Sequence, residues 1–369
     1  MSKKLKPKHE QLKEQILEWI HTGKFKPGDQ LPTEHEIAEL SAMSRQTVRQ
    51  GIGALVQEGW LSRRQGSGTF VADGPGRKST EVPTIGVMTT NISDYIFPEI
   101  VRGTESVLRR RGYRMLLSST DNEKAKERDN LKQLLSSPIQ GLIIEPTKSA
   151  QGNPNLDCYL SLDYSQIPYL MINERYAELD CPSVKVDDEQ GGYLATKHLI
   201  DLGHRRIAGF FKTDDLQGVQ RLKGFMRAHR EHSVPLLPEA VVHYTTETKE
   251  HAPEAAATAM LLQGEERPTA FVCYNDQLAV RLFEAVRQAA LRVPGDVSVV
   301  GFDDSFLATA TEIKLTTISH PKAELGITAA ELLLDLIEGQ AERRGSDVVY
   351  RPELIVREST HSLEAAKPR

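Results

Sequence analysis

The sequence predicts an α/β protein in which a small N-terminal winged helix-turn-helix precedes a larger, two-lobed domain built on parallel sheets. Three observations predict this. Residues 1–72 hold three short helical segments and a glycine-tipped hairpin, and from Thr84 onward short apolar runs alternate with helical stretches. The charge is also uneven, because Met1–Lys78 has 13 Lys and Arg against 9 Asp and Glu, whereas the remainder has 33 against 42. The basic N-terminal end is therefore the candidate for binding a polyanion.

Length and composition favour a globular protein of two or three domains. The chain has 369 residues, of which 39% are hydrophobic and 26% charged. No apolar run approaches the roughly 20 residues of a membrane helix, and the basic start leads into an amphipathic segment instead of a signal-peptide core, so we expect a cytoplasmic protein. Cys158, Cys181 and Cys273 lack CxxC spacing. We therefore expect buried thiols and neither a disulfide framework nor a metal site.

The first element is an amphipathic helix over Lys8–Thr22, which ends before Gly23. A Pro-Gly turn follows, and Thr33 with Glu36 three residues later forms a capping box that begins a second helix. A third helix begins at Ser44 and ends near Glu58. The segment "WLSRRQGSGTFV" then predicts two short strands around a glycine-rich tip. These elements complete the winged helix-turn-helix, and the Gly- and Pro-containing segment 73–83 is the predicted linker.

The third helix is the candidate for reading DNA. Its inward-facing stripe consists of Val48, Ile52, Leu55 and Val56. Arg45, Gln46 and Arg49 then lie on the opposite face, where an arginine can bind guanine and a glutamine can bind adenine in the major groove. Ser44 and Thr47 can hold phosphates near the helix start.

A solvated charged face is the alternative interpretation of this helix. The hairpin that follows it favours DNA binding, because Arg63, Arg64 and Gln65 lie at its base, as a wing that enters the neighbouring groove requires.

The stretch "LPTEHEIAEL...SRQTVRQGIGALVQEGWLSRRQGSGTFV" resembles the GntR-type winged-helix domain. The resemblance implies DNA contacts from the following residues: Lys8, Arg45, Gln46, Thr47, Arg49, Gln65, Gly66 and Gly68. Two features depart from the family pattern. The usual glycine of the turn is absent from "ELSAMSR", and Gly51 and Gly53 each weaken the third helix by about 1 kcal/mol relative to alanine. We interpret these two glycines as allowing close packing.

In the large domain, polar residues follow the apolar runs "TIGVM", "RMLLS", "GLIIE", "YLMIN", "RIAGF", "AFVCY" and "VSVVGF". Ligands of open parallel sheets bind beyond the carboxyl ends of the strands. Side chains of Asn, Asp, Glu and Arg at these ends can hydrogen-bond adjacent hydroxyls, and aromatic residues such as Tyr95 and Phe97 can pack on a sugar ring. This pattern predicts a saccharide site, although each polar residue taken alone is also a common helix cap or turn former.

The segments "DDEQGGYLATKHLIDLGHRRIAGF", "QRLKGF", "AFVCYNDQLAV", "VPGDVSVVGFDD" and "LTTISHP" resemble the effector domain of LacI/GalR-type repressors, which has a periplasmic-binding-protein-like type I fold. The resemblance covers about 84–362 and implies lobe one over 84–187 and 319–344, lobe two over 188–318 and 345–362, and three crossovers. It assigns hydroxyl binding to Arg221, Asn275 and Asp303, and places His320 near the hinge. "INER" departs from the family's Asp-Arg pair, which leaves the roles of Asn173, Glu174 and Arg175 open.

The complete set of candidate effector-binding residues combines strand ends with this resemblance: Asn91, Tyr95, Phe97, Glu145, Asn173, Glu174, Arg221, Asn275, Asp303 and His320. His204 in "LGHRRIA" is instead expected to cap a helix end. The segment "FPEIVRGTESVLRRRG" is a candidate dimerisation helix, with ordinary core packing as the alternative.

A GntR-like head on a LacI-like body resembles the arabinose-responsive repressors. That resemblance implies a homodimer on a palindromic operator, released by L-arabinose, with no cofactor, metal or membrane. Xylose, galactose, a sugar phosphate or another metabolite are alternative effectors, and a sugar-binding protein without DNA binding is a further alternative. An enzyme is disfavoured because GxSxG, Walker, GxGxxG and HExxH motifs are absent.

Overall fold

The computed structural model describes residues 7–64, 68–72, 82–93, 95–340 and 347–363. The chain divides into two compact units, Met1–Val82 and Pro83–Arg369. Most of the predicted linker, and the wing residues Gln65 and Gly66, lie outside the described residues. Within the described ranges, no helix is both long and apolar enough to cross a membrane.

The first unit contains three helices and a two-stranded antiparallel hairpin: α1 Lys8–His21, α2 Glu34–Ser41, α3 Arg45–Gln57, β1 Leu61–Arg64 and β2 Gly68–Val71. Thr33 and Glu36 form the predicted capping box at the start of α2. The helices share one apolar core, in which Leu12, Ile37, Val48 and others are buried. The described part of the unit thus has the predicted winged helix-turn-helix architecture.

The turn that lacks its usual glycine and the two glycines of α3 differ in backbone conformation and in surroundings. Ala42 ends α2 with a φ of 55°, so an alanine adopts the left-handed conformation that glycine usually supplies. A Cβ on Gly51 would lie 3.0 Å from Leu12 Cδ2 and 3.2 Å from the His9 carbonyl oxygen, which explains that glycine by close packing against α1. A Cβ on Gly53 would meet no atom within 4 Å, so the packing interpretation is wrong at this position.

The second unit contains two six-stranded sheets. The first has the strand order β13-β7-β6-β5-β3-β4, and all of its paired strands are parallel. Its strands are β3 Thr84–Thr89, β4 Arg114–Ser119, β5 Ile139–Ile144, β6 Tyr169–Ile172, β7 Ser183–Val186 and β13 Val348–Tyr350. The helices that accompany it are α4 Phe97–Arg110, α5 Lys124–Leu135, α6 Leu156–Tyr164 and α12 Lys322–Ile337.

The second sheet has the order β14-β12-β11-β10-β8-β9 and is parallel except for the antiparallel pair of β14 and β12. Its strands are β8 Ile207–Lys212, β9 Val241–Tyr244, β10 Ala270–Cys273, β11 Ser298–Asp303, β12 Thr316–Ser319 and β14 Leu354–Ile355. The helices of this half are α7 Asp188–Asp201, α8 Leu216–Glu231, α9 Ala252–Leu261, α10 Asp276–Gln288 and α11 Leu307–Ala310. Both sheets belong to the α/β class predicted from the sequence.

Three short connections join the two sheets. The chain leaves the first sheet between β7 and α7, returns between β12 and α12, and leaves again between β13 and β14. β13 pairs with β7 in the first sheet, whereas the sequence assigned 345–362 to lobe two. The last connection therefore follows Tyr350, because β13 ("VVY") pairs with β7 of the first sheet before the chain crosses to the second sheet.

The predicted dimerisation segment packs into the core of the first lobe. Phe97, Ile100, Val107 and Leu108 of α4 are buried in one cluster with residues of α12. A Cβ on Gly103 would lie 2.2 Å from the Ala323 carbonyl oxygen, so the two helices cross in close contact. The apolar face of α4 is thus occupied by ordinary core packing, as the alternative interpretation had it.

His204 links the end of α7 to Thr269, which directly precedes β10, and to Ser298, which begins β11. Its backbone N–H donates to the Leu199 carbonyl at 3.0 Å. Its ring nitrogens lie 2.9 Å from Thr269 Oγ1 and 3.0 Å from Ser298 Oγ. Burial lowers the pKa of His204 to about 4, so the imidazole is neutral at pH 7. The contacts of His204 therefore serve to stabilise the fold.

Candidate functional site

The first candidate site is the exposed face of α3. Ser44 caps this helix by accepting a hydrogen bond from the Thr47 backbone N–H, and the two hydroxyl oxygens lie 2.8 Å apart. Arg45, Gln46 and Arg49 are exposed, and Val48 is buried on the opposite side. The polar face is therefore available to a partner.

Two further residues expected at the DNA lie in the described part of this unit. Lys8 is exposed and begins α1. Gly68 begins β2 with a φ of +112°, and a Cβ there would lie 2.6 Å from Gln30 Nε2. Its backbone conformation therefore favours glycine, whereas the Gln30 side chain could move to admit a Cβ.

The second candidate site is a cavity of about 180 Å³ at the carboxyl ends of strands from both sheets. Eight of the ten candidate effector residues line it: Asn91, Tyr95, Phe97, Glu145, Asn173, Arg221, Asn275 and Asp303. The candidates that follow strand ends therefore lie in one cavity, although they come from both lobes. Asn275 also caps α10, because its side chain accepts a hydrogen bond from the Leu278 backbone N–H at 2.9 Å. It is therefore both a helix cap and a residue of the cavity wall.

Hydrogen bonds fix the wall on the side of the first lobe. Glu145 accepts at Oε2 from the Thr90 N–H and hydroxyl, both at 2.7 Å, and at Oε1 from Asn173 Nδ2 at 2.8 Å. Burial raises the pKa of the Glu145 carboxyl, and these hydrogen bonds partly oppose that rise. The carboxylate is held in one orientation toward the cavity.

On the opposite side, Arg221 is fully buried and is held by three groups. It donates from Nε to Asp188 at 2.7 Å, from NH1 to the Tyr274 carbonyl at 2.6 Å, and from NH2 to Asp303 Oδ1 at 3.4 Å. Its guanidinium carbon also lies 3.5 Å from the centre of the Phe302 ring. This network presents a rigid pattern of donors and acceptors to a ligand.

Two candidate effector residues lie outside the cavity lining. The Glu174 carboxylate accepts from Lys185 Nζ at 3.1 and 3.2 Å, so an ion pair with β7 occupies it. His320 lies between β12 and α12, where its Nε2 is 3.3 Å from Asn173 Oδ1. It therefore supports the wall from behind, at one of the connections between the lobes. Arg175 binds Asp347 at 3.0 Å, also outside the lining.

The sequence reasoning missed several wall residues, among them Lys212, Asp215, Tyr244, Thr246, Tyr274 and Gln277. Lys212 ends β8, and Tyr274 directly follows β10. Tyr274 is the last residue of the apolar run "AFVCY", and Lys212 lies two residues beyond the run "RIAGF". Taking only the polar residues that directly follow each run therefore misses both. Thr246 and Gln277 lie beyond their strands, where apolar patterning gives no signal.

The cationic side chains of the wall are paired with carboxylates. Lys212 lies 3.1 Å from Asp214 and 2.8 Å from Asp215. Arg281 lies 2.7 Å from Glu254 and 3.2 Å from Glu250. Lys249 approaches Glu250 at 4.0 Å. With Arg221 bound to Asp188, the wall carries paired charges and many hydrogen-bonding groups, which suits a neutral polar ligand.

An exposed polar helix on a winged helix-turn-helix, joined in one chain to a two-lobed polar cleft, defines a ligand-responsive transcription regulator. The gntR family of bacterial regulatory proteins matches residues 8–71, and a periplasmic-binding-protein-like domain matches residues 196–360. A LacI family transcriptional regulator from Enterococcus faecium, with bound ribose, superposes with a TM-score of 0.65 at 29% identity, covering 76% of this chain and 99% of that one.

Two relatives identify the family. An arabinose metabolism transcriptional repressor of Geobacillus stearothermophilus is 58% identical over 98% of this chain and 100% of its own length. A repressor of the same description from Halalkalibacterium halodurans is 45% identical over 98% and 99% of the two chains. The chain belongs to the family of arabinose metabolism transcriptional repressors. It is a sugar-responsive transcriptional repressor and not an enzyme.

Proposed function

We propose that L-arabinose is the effector and that it binds in the cavity between the two sheets. The observation that carries this proposal is the wall itself, in which Glu145, Asn173, Arg221 and Asp303 offer fixed hydrogen-bonding groups beside the ring of Phe97. The family's association with arabinose metabolism supports the choice of sugar.

A neutral sugar fits this wall better than a sugar phosphate. Each wall cation lies within 4.0 Å of a carboxylate, so a phosphate would have to compete with an existing ion pair. Ring hydroxyls, in contrast, both donate and accept, and therefore match a wall of mixed acids and amides.

The proposed DNA complex is a homodimer on a palindromic operator. Arg45, Gln46 and Arg49 of each copy read base edges, while Lys8 and Thr47 contact phosphates and the wing around Gly68 enters the adjacent groove. The sugar stabilises a closed cleft that no longer matches the half-site spacing, and a coupling free energy of roughly 1–3 kcal/mol weakens operator binding about 5–150-fold. Because a repressor must reach DNA, the proposed compartment is the cytoplasm.

Calorimetry with a sugar panel tests the effector. L-arabinose, D-xylose, D-ribose, D-galactose and arabinose 5-phosphate are titrated separately into the full chain. We expect L-arabinose to bind at least tenfold more tightly than each of the others. Tighter binding of another member of the panel overturns the choice of sugar.

Replacing Arg49 by alanine tests the DNA interface. The wild type is used to enrich a duplex from a random pool, and affinity is measured for that duplex and for a scrambled one of equal composition. We expect Arg49→Ala to lose most of the discrimination while sugar affinity is retained, and the matched variant Arg287→Ala, at an exposed position of α10, to behave as wild type. Full discrimination by Arg49→Ala contradicts the assignment.

A further inference from the structure

One carboxylate in the N-terminal unit lies between arginines from two different elements. Glu34, the first residue of α2, accepts at Oε2 from Nε of Arg49 at 3.1 Å and at Oε1 from NH2 of Arg63 at 3.0 Å. Arg49 lies on α3 and Arg63 on β1, the first strand of the wing hairpin. Each oxygen of Glu34 thus binds one of the two elements that face DNA in the proposed complex.

The atoms used in these contacts matter for recognition. Arg49 engages Glu34 through Nε, which leaves both terminal nitrogens of its guanidinium for a partner. Those two nitrogens form the fork that binds O6 and N7 of guanine. The Arg49 side chain remains 72% exposed while it is held, so it is oriented without being covered. Arg45, in the same helix, has no such ion pair among the residues that the structure describes.

The position of Glu34 is also electrostatically unfavourable for binding DNA in general. Its side chain is 29% exposed and lies beside two side chains that face a polyanion in the proposed complex. A carboxylate near phosphates weakens sequence-independent binding, which depends on the net positive charge of the surface. Fixing an arginine fork in advance, however, reduces the rotamer entropy lost when a base is bound.

We propose that Glu34 is a positioning residue for operator recognition, which orients the Arg49 fork toward a base edge and ties the recognition helix to the wing strand. The inference rests on the proposed DNA interface. Glu34 raises affinity for the operator and lowers affinity for other sequences, so its effect is on the ratio of the two. This separates it from a residue that only stabilises α2 through the helix dipole.

The test uses the full-length Glu34→Gln variant, which keeps the side-chain shape but replaces one acceptor by a donor that faces an arginine. Fluorescence anisotropy at one salt concentration measures binding to the duplex enriched by the wild type and to its scrambled counterpart. We expect affinity for the enriched duplex to fall about tenfold, and affinity for the scrambled duplex to stay equal or rise. Glu18→Gln, at an exposed position of α1, removes the same charge and should leave the ratio unchanged.

Two results overturn the inference. The first is equal strengthening of binding to both duplexes by Glu34→Gln, which would make Glu34 a repulsive charge only. The second concerns the Arg49→Ala background, in which positioning predicts that Glu34→Gln changes the ratio much less than in the wild type. An equal change in both backgrounds would assign Glu34 a general structural role. A wild type that enriches no duplex would instead refute the proposed DNA interface.

Discussion

The hydroxyl of Tyr95 donates a hydrogen bond of 2.6 Å to Oδ2 of Asp303, and both residues have backbone φ angles in the left-handed region, 60° and 97°. Tyr95 follows the first strand of the first sheet, whereas Asp303 ends a central strand of the second. The hydroxyl also accepts from the Asp276 N–H at 3.1 Å. Two wall residues of the proposed effector site, each with an unusual backbone conformation, thus bind each other across the cleft.

Tyr95→Phe should weaken L-arabinose binding about fivefold. The variant keeps the ring against the cavity but removes the link between the lobes, so the closed state is less stable by about 1 kcal/mol. Calorimetry measures the effect. Tyr164→Phe is the matched control, since the Tyr164 side chain is 91% exposed. Tighter binding by Tyr95→Phe would mean that the hydroxyl competes with the sugar for Asp303.

Asp303→Asn should yield a repressor that binds DNA but responds poorly to L-arabinose. A hydrogen bond to a buried carboxylate contributes about 1.5–3 kcal/mol, so sugar affinity should fall about 10–150-fold. Arg221 keeps Asp188 as a partner in this variant, which limits the damage to the fold. Asp304→Asn serves as the control, because the Asp304 carboxylate binds Arg357 at 2.6 Å and is not part of the cavity lining. A normal arabinose response of Asp303→Asn contradicts the placement of the site.

Gly53→Ala should stabilise the N-terminal unit by about 0.5–1 kcal/mol. The position is helical, and an added Cβ meets no atom within 4 Å, so the variant gains helix propensity without a clash. Gly51→Ala differs by the same methyl group in the same helix but meets a backbone oxygen at 3.2 Å, and should be neutral or destabilising. Chemical denaturation of the two variants measures the difference. Equal stabilisation by both would refute the packing explanation for Gly51.

His204 should make stability fall as the pH is lowered from about 6.5 toward 4. Its folded pKa of about 4 lies below the unfolded value, so the unfolded state binds the proton first and the loss grows through this range. Relative to His204→Gln, the wild type should lose about 2 kcal/mol between pH 7 and pH 5. Urea unfolding at the two pH values measures this. His243→Gln, at an exposed position of β9, should retain the wild-type pH dependence, and a constant difference between wild type and His204→Gln would refute the assignment.

Sequence patterns predicted the features that depend on residues close together in the chain. The Thr33 capping box and the exposed face of α3 follow from residues a few positions apart, and the wall residues Glu145 and Asn173 follow from strand ends. Contacts between residues far apart in the sequence could not be predicted in this way. Glu34 and Arg63 are 29 positions apart, and their pairing depends on the packing of a helix against a hairpin.

Strands of only two or three residues were also difficult to predict from the sequence. β13 has three residues and β14 two, which is too short for alternation to distinguish a strand from a loop, so the last connection between the lobes was placed too early. Glu174 was assigned to the effector because it follows β6, but the neighbouring strand supplies Lys185, which binds its carboxylate. This ion pair with a neighbouring strand holds Glu174 outside the cavity lining, and strand-end position alone does not reveal it.

The burial of all three cysteines has a practical consequence for observing the cleft in motion. Cys158, Cys181 and Cys273 are buried, and burial raises the pKa of each thiol, to about 12 for Cys181. Maleimide dyes react with accessible thiolates, so the native thiols should label slowly. One new cysteine on the surface of each lobe would therefore accept a donor and acceptor fluorophore pair selectively, and energy transfer between them would report lobe closure in the otherwise native protein.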